Sequence, residues 1–177
     1  WTPTASQSNI TVSAVSSGQF TVSVTIPEDR DAGAESGEII VTVSSSDGES
    51  TANHSISVST SQVYDIAMGH VSGSDGTVTV TQETQLQLSL NVTNNGNGVD
   101  TVTFTMENQP PWAALGSDSI QIGRGQTIAI VINLSPDTAA LSGRDYIFQI
   151  VAISADGSET TSPDLTAQIE IKETEGE

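Results

Sequence analysis

The chain has 177 residues, with 22 Asp and Glu against only 4 Lys and Arg, for a formal net charge of -18. So few cations disfavour binding to nucleic-acid phosphates or to an anionic membrane surface, because nothing is present to release counterions or meet lipid headgroups. Cysteine is absent, which excludes a disulfide framework and thiolate metal sites, and no apolar run of about eighteen residues predicts insertion into a membrane.

Aromatic residues make up 4% of the chain and apolar residues 35%, so any core must rest on Val, Ile and Leu, a bias that favours strands. Taken from the N-terminus, period-two alternation predicts strands over 10–15, 19–26, 38–45 and 52–59. The polar, Gly-bearing stretch 27–37 reads as a surface loop and Asp47-Gly48 as a hairpin turn. From Val63 onward the same reasoning predicts strands over 64–71, 77–81, 85–93, 99–107, 119–122, 127–134, 145–154 and 165–171. The strand at 145–154 is apolar on both faces, as expected of a central strand or of one covered by a neighbouring domain. Asn94-Asn95-Gly96-Asn97-Gly98 is a strong turn signal, and Pro110-Pro111 must lie outside a ladder, where the chain crosses between sheets.

The order of elements repeats. Ile10-Thr11-Val12, Gly18-Gln19, the row Phe20/Val22/Val24/Ile26, Pro27, Ser36-Gly37 and Asp47-Gly48 return as Ile120-Gln121-Ile122, Gly125-Gln126, Ile128/Ile130/Ile132/Leu134, Pro136, Ser142-Gly143 and Asp156-Gly157. Such a period in short alternating strands predicts an all-β chain of tandem immunoglobulin-like β-sandwiches. The first copy is expected to be incomplete at its N-terminal side, since Trp1 takes the place of Trp112. The expected organisation is a partial sandwich at 1–61, a complete one at 62–172 and an acidic tail or linker at 173–177.

These residues carry a resemblance. The Asn94-Asn95-Gly96-Asn97 turn, Val102 and Phe104, Pro111-Trp112, Gly125-Gln126 and Ser142-Gly143 before Tyr146 resemble the alpha-galactosidase-associated (NPCBM-associated) Ig-like repeat, related to the CARDB-type repeats. The resemblance covers most of 63–171, and its second half covers 1–59. It implies extracytoplasmic multidomain proteins of bacteria and archaea, as spacers, surface arrays or accessory modules of secreted hydrolases, and it supplies no catalytic residues.

The residues themselves offer little chemistry. Only His54 and His70 are present, in different units and with no evident partner base or nucleophile. No nucleophile elbow, phosphate loop, dinucleotide fingerprint or zinc helix occurs, so no enzymatic activity is expected. The nearest approach to a metal site is Asp29-Arg30-Asp31-Ala32-Gly33 with Glu35. Alternate acids on a Gly-bearing turn supply some of the six to eight oxygens that calcium takes, but Arg30 sits among them and no bidentate Glu follows at EF-hand spacing. Asp29, Asp31 and Glu35 are therefore a weak calcium candidate against the plainer reading of a solvated loop; calcium is the one cofactor considered. Four N-x-Ser/Thr sequons, at Asn9, Asn53, Asn91 and Asn133, are candidate glycosylation sites. Ser and Thr make up about a quarter of the chain, so about two sequons would arise by chance.

The sequence thus points to a non-catalytic structural or interaction segment of an extracellular or cell-surface protein of S-layer, filament or stalk type. Its expected partners are neighbouring domains or subunits of the same protein, met by strand pairing at the open edge of the first unit. The rival is a glycan-binding or accessory module of a secreted hydrolase with a polysaccharide partner. That reading needs an exposed aromatic platform drawn from Trp1, Tyr64, Trp112 and Tyr146.

Overall fold

The computed structural model describes residues 1–71 and 76–172; the tail expected at 173–177 lies outside them. Among the described residues there is no helix, and the chain is all-β with an immunoglobulin-like sandwich architecture. It divides into two compact units, Trp1–Gln62 and a second beginning at Val63.

The second unit is a sandwich of two sheets. Strands β5 (Ile66–Val71), β7 (Leu86–Asn94), β11 (Thr127–Leu134) and β9 (Ala113–Leu115) form one sheet in the order β5-β7-β11-β9. The other runs β10 (Ser119–Ile122), β8 (Asp100–Glu107), β12 (Asp145–Ile153), β14 (Leu165–Glu170), β6 (Thr77–Thr81), with β13 (Glu159–Thr161) also on β12. All pairings are antiparallel except β14 with β6, which run parallel over five rungs from Thr166↔Thr77 to Glu170↔Thr81. Alternation decides what is inside: Leu88, Leu90 and Val92 from β7 and Ile130, Ile132 and Leu134 from β11 meet Val102, Phe104, Phe148, Ile150 and Leu165 from the opposite sheet. The two-faced apolar strand is central, with β8 on one edge and β13 and β14 on the other. Val151 on its outer side is buried while Ile147 is exposed.

The first unit holds two separate two-stranded sheets, β1 (Thr2–Ala5) with β2 (Val22–Thr25), and β3 (Ile39–Ser44) with β4 (Thr51–Ile56). The stretch 10–15, expected as a strand, is not one. It is exposed and turns at Ser13, where Ser16 N donates to Ser13 O at 3.2 Å and Val15 takes a left-handed φ of 59°. A strand needs a ladder partner. In the second unit the equivalent β10 is held by β8 (Ile120↔Val102, Ile122↔Asp100), and no strand plays that part here. Strand β1 was not anticipated because it is short and contains Pro3, which is tolerated at an edge.

The two units share a turn. Asp47 and Asp156 each follow a Ser whose carbonyl accepts from the turn glycine, Gly48 N to Ser45 O at 3.0 Å and Gly157 N to Ser154 O at 2.9 Å. Both glycines have positive φ, 76° and 86°, as an Asp-Gly hairpin requires.

Candidate interaction surface

In the second unit β11 is paired on both edges, by β7 and by β9. In the first, β2 is paired by β1 alone, and β1, following Trp1, takes the place of β9, which follows Trp112. The edge that β7 would occupy is open. Likewise β12 is held between β8 and the pair β13 and β14, whereas β3 has β4 on one edge and no strand on the other. Both open edges therefore correspond to one continuous piece of the second unit, β7 followed by β8.

Between the two sheets of the first unit lies a groove of about 320 Å³ lined by Phe20, Val22, Val41, Val43, His54 and Ile56 among others. The register explains the lining. Ile39, Val41 and Val43 pair with Ile56, His54 and Ala52, so one face of this hairpin is apolar apart from the imidazole. These rows keep solvent contact: Phe20 is 37% exposed, Val43 45% and Val12 47%, while Ile122, at the position equivalent to Val12, is 0% exposed. Beside the groove a polar cleft of about 560 Å³ is bounded by Ser6, Gln7, Gly18, Gln19, Phe20 and Thr21.

The acidic loop after β2 is tied back to the end of the unit. Gly33 N donates to Thr60 O at 2.9 Å, Thr60 N to Ala34 O at 2.9 Å, and the Thr60 hydroxyl to Asp31 O at 2.5 Å, with a bridge between Glu35 and Ser59. Asp29, Asp31 and Glu35 are all exposed on this loop, and among the described residues no three His, Asp or Glu side chains gather as a cation site. Of the sequon asparagines, Asn9 lies in the irregular segment, Asn53 on β4, and Asn91 and Asn133 on the outward phase of β7 and β11. Asn9, Asn53 and Asn91 are exposed; Asn133 is half-buried and accepts from Gln87 Nε2 at 3.0 Å.

Trp112 and Tyr146 do not form a flat platform. Trp112 meets Tyr146 edge-on, centroids 5.1 Å apart and planes at 77°, with the Arg144 guanidinium 5.3 Å from the centroid of the Tyr146 ring. Both rings pack partly against the core, and the Tyr146 hydroxyl accepts from Leu141 N at 2.9 Å.

Three polar features were not legible in the sequence. Asn94 is buried and organises the corner between β7 and β8: its Nδ2 donates to Gly98 O at 2.8 Å and Ile122 O at 2.9 Å, and its Oδ1 accepts from Gly96 N at 2.8 Å. Asp100, also buried, accepts from Ala155 N at 3.0 Å through Oδ1, while Oδ2 has no partner among the described residues. The turn acids are electrostatically distinct. The Ser45 hydroxyl first, then the Glu49 N–H, hold the Asp47 carboxyl below its ordinary value of 3.8. For Asp156 the Ser158 N–H leads and the Ser158 hydroxyl follows, with the same direction.

No protein-family model matches the chain, and no curated protein matches it. Solved structures do show similarity. A FixG-related protein from Vibrio parahaemolyticus is 14% identical over 59% of this chain and 96% of its own, with a TM-score of 0.47. A protein of unknown function from Porphyromonas gingivalis is 14% identical over 94% of this chain and 79% of its own, at 0.46. BcpA, the major pilin subunit of Bacillus cereus, is 7% identical over 74% of this chain and 48% of its own, at 0.43.

Proposed function

We propose that the chain is a non-catalytic structural and interaction segment of an extracellular or cell-surface protein, of S-layer, filament or stalk type. The second unit serves as a self-contained spacer, and the first joins a neighbouring domain or subunit by strand pairing at the open edges of β2 and β3. One observation carries this reading. The second unit buries its inward rows on both sheets, whereas the first presents apolar rows beside two strand edges that lack ladder partners. An unpaired edge with apolar neighbours is a template for another strand. The high negative charge with few bases suits a surface exposed to cation-rich surroundings. Among the described residues no helix is long and apolar enough to cross a membrane.

Trp112 and Tyr146 meet edge-on and do not form one flat platform, so the rival glycan-binding reading gains no support from this pair. Hydrogen exchange on the isolated chain tests the proposal. Amides of β11 and β12 should be protected, while those of β2 and β3 exchange orders of magnitude faster and slow down when the chain is part of its native assembly. Equal protection of both pairs in the isolated chain would remove the basis for the proposal.

A further inference from the structure

We infer that the partner of the first unit is a polypeptide segment of the repeat's own kind. It would carry two apolar-alternating strands joined by an asparagine corner, and it would fill both open edges at once, as residues 86–107 do in the second unit. This rests on the proposed strand-pairing function and names what does the pairing.

The second unit displays the occupant in place, and each of its anchoring contacts has a waiting counterpart in the first. Strand β7 sends Leu88, Leu90 and Val92 against Ile130 and Ile132, and β8 sends Val102 and Phe104 against Phe148 and Ile150. The matching rows of the first unit are Phe20, Val22 and Val24 on one side and Val41 and Val43 on the other, and four of these five line the groove. The corner is held by main-chain bonds: Gly125 N donates to Asn94 O at 2.8 Å and Asn94 N to Gln126 O at 3.0 Å. Their counterparts are Gly18 and Gln19. Gly18 N donates to no group among the described residues, Gln19 O accepts a single side-chain bond from Gln7 at 3.3 Å, and both residues line the polar cleft. A third anchor is Asp100 on Ala155 N. The congruent turn places Ser46 N at that position, and it too donates to no group among the described residues.

Charge agrees with this occupant and disfavours a whole second copy. The groove lining holds no Asp, Glu, Lys or Arg, and residues 86–107 carry only Asp100 and Glu107. A second copy would bring -18 toward -18, a repulsion that a segment bearing two acids largely avoids. The pocket, the cleft and the orphaned turn amide lie where one segment spanning both sheets would meet all three, which a single added strand would not.

The test uses the whole chain and a peptide of sequence 86–107, read by hydrogen exchange. The expected result is at least a tenfold slowing of amides in β2 and β3 with the peptide. The effect should shrink with an Asn94→Ala peptide and vanish with one carrying Val102→Ser and Phe104→Ser. The same segment fused ahead of Trp1 should give the slowing without a bimolecular step. Equal protection by an unrelated alternating peptide lacking the asparagine corner overturns the identity of the partner but leaves strand pairing standing. Protection that grows with chain concentration, and not with peptide, assigns the site to a second copy and overturns the inference. If neither peptide, fusion nor concentration slows these amides, the inference and the proposed function fall together.

Discussion

The two units are built from matching rows of residues, yet only one of them closes. Val12 is 47% exposed where Ile122 is 0% exposed, although both lie in an Ile-x-apolar pattern after an equivalent start. The difference is in the neighbours. Ile122 is covered because β8 pairs with its strand and the opposite sheet packs beneath it; Val12 has neither. Burial, and with it the strand state, is a property of the assembled sandwich and is conferred on a segment by what lies beside it.

Substitutions can break or sharpen that comparison. The largest effect is expected from Phe148→Ala, which empties a site with no solvent exposure and should cost about 3–5 kcal/mol in urea unfolding of the second unit. Phe20→Ala in the first should cost about 1–2 kcal/mol, because 37% of that residue is already in water. Similar losses at the two positions would mean the first unit has a closed core. A smaller effect is expected at the corner. Asn94→Ala removes three side-chain hydrogen bonds and leaves Ile122 O and Gly96 N without those partners, for about 2–3 kcal/mol. The first unit, lacking that corner, should show no change in its exchange pattern.

The smallest effect concerns the turn where the units agree. Both Asp47 and Asp156 have carboxyls held below 3.8, so each contributes stability that is present above about pH 4 and lost as pH falls through the lowered folded value. Carboxyl titration by NMR should find both midpoints low. Ser45→Ala should raise that of Asp47 more than Ser158→Ala raises that of Asp156, because the leading donor is a hydroxyl in the first case and a main-chain N–H in the second. Equal rises would show that the turns differ less than their donors suggest.

Much of the second unit was legible in its letters. Leu86, Leu88, Leu90 and Val92 alternate with polar neighbours, and this period of two marks both the strand and its inner face. Apolar residues on both faces of 145–154 allow a central strand or one covered by a neighbouring domain, and the ladders on both sides of it decide for the first. The failures share a cause. Residues 10–15 alternate as a strand should, but alternation states a preference for a ladder and does not supply one. The short β9 and β13, with three residues each, are too brief to show a period, and the parallel pairing of β14 with β6 joins segments far apart in sequence. The half repeat points to the side of the first unit on which its edges lie open. The anchors at Gly18, Gln19 and Ser46 were not, because a main-chain donor leaves no trace in a one-letter code.

The parallel pair also has a mechanical meaning. Strand β6 lies near the start of the second unit and β14 closes it, and they run side by side in the same direction through five rungs, extended by Thr166 N to Gly76 O at 2.6 Å and Gln82 N to Glu170 O at 2.9 Å. When the start of β6 and the end of β14 are pulled apart, these hydrogen bonds are loaded together in shear, not opened one after another like a zip. Along these two strands tension is resisted by all five rungs at once.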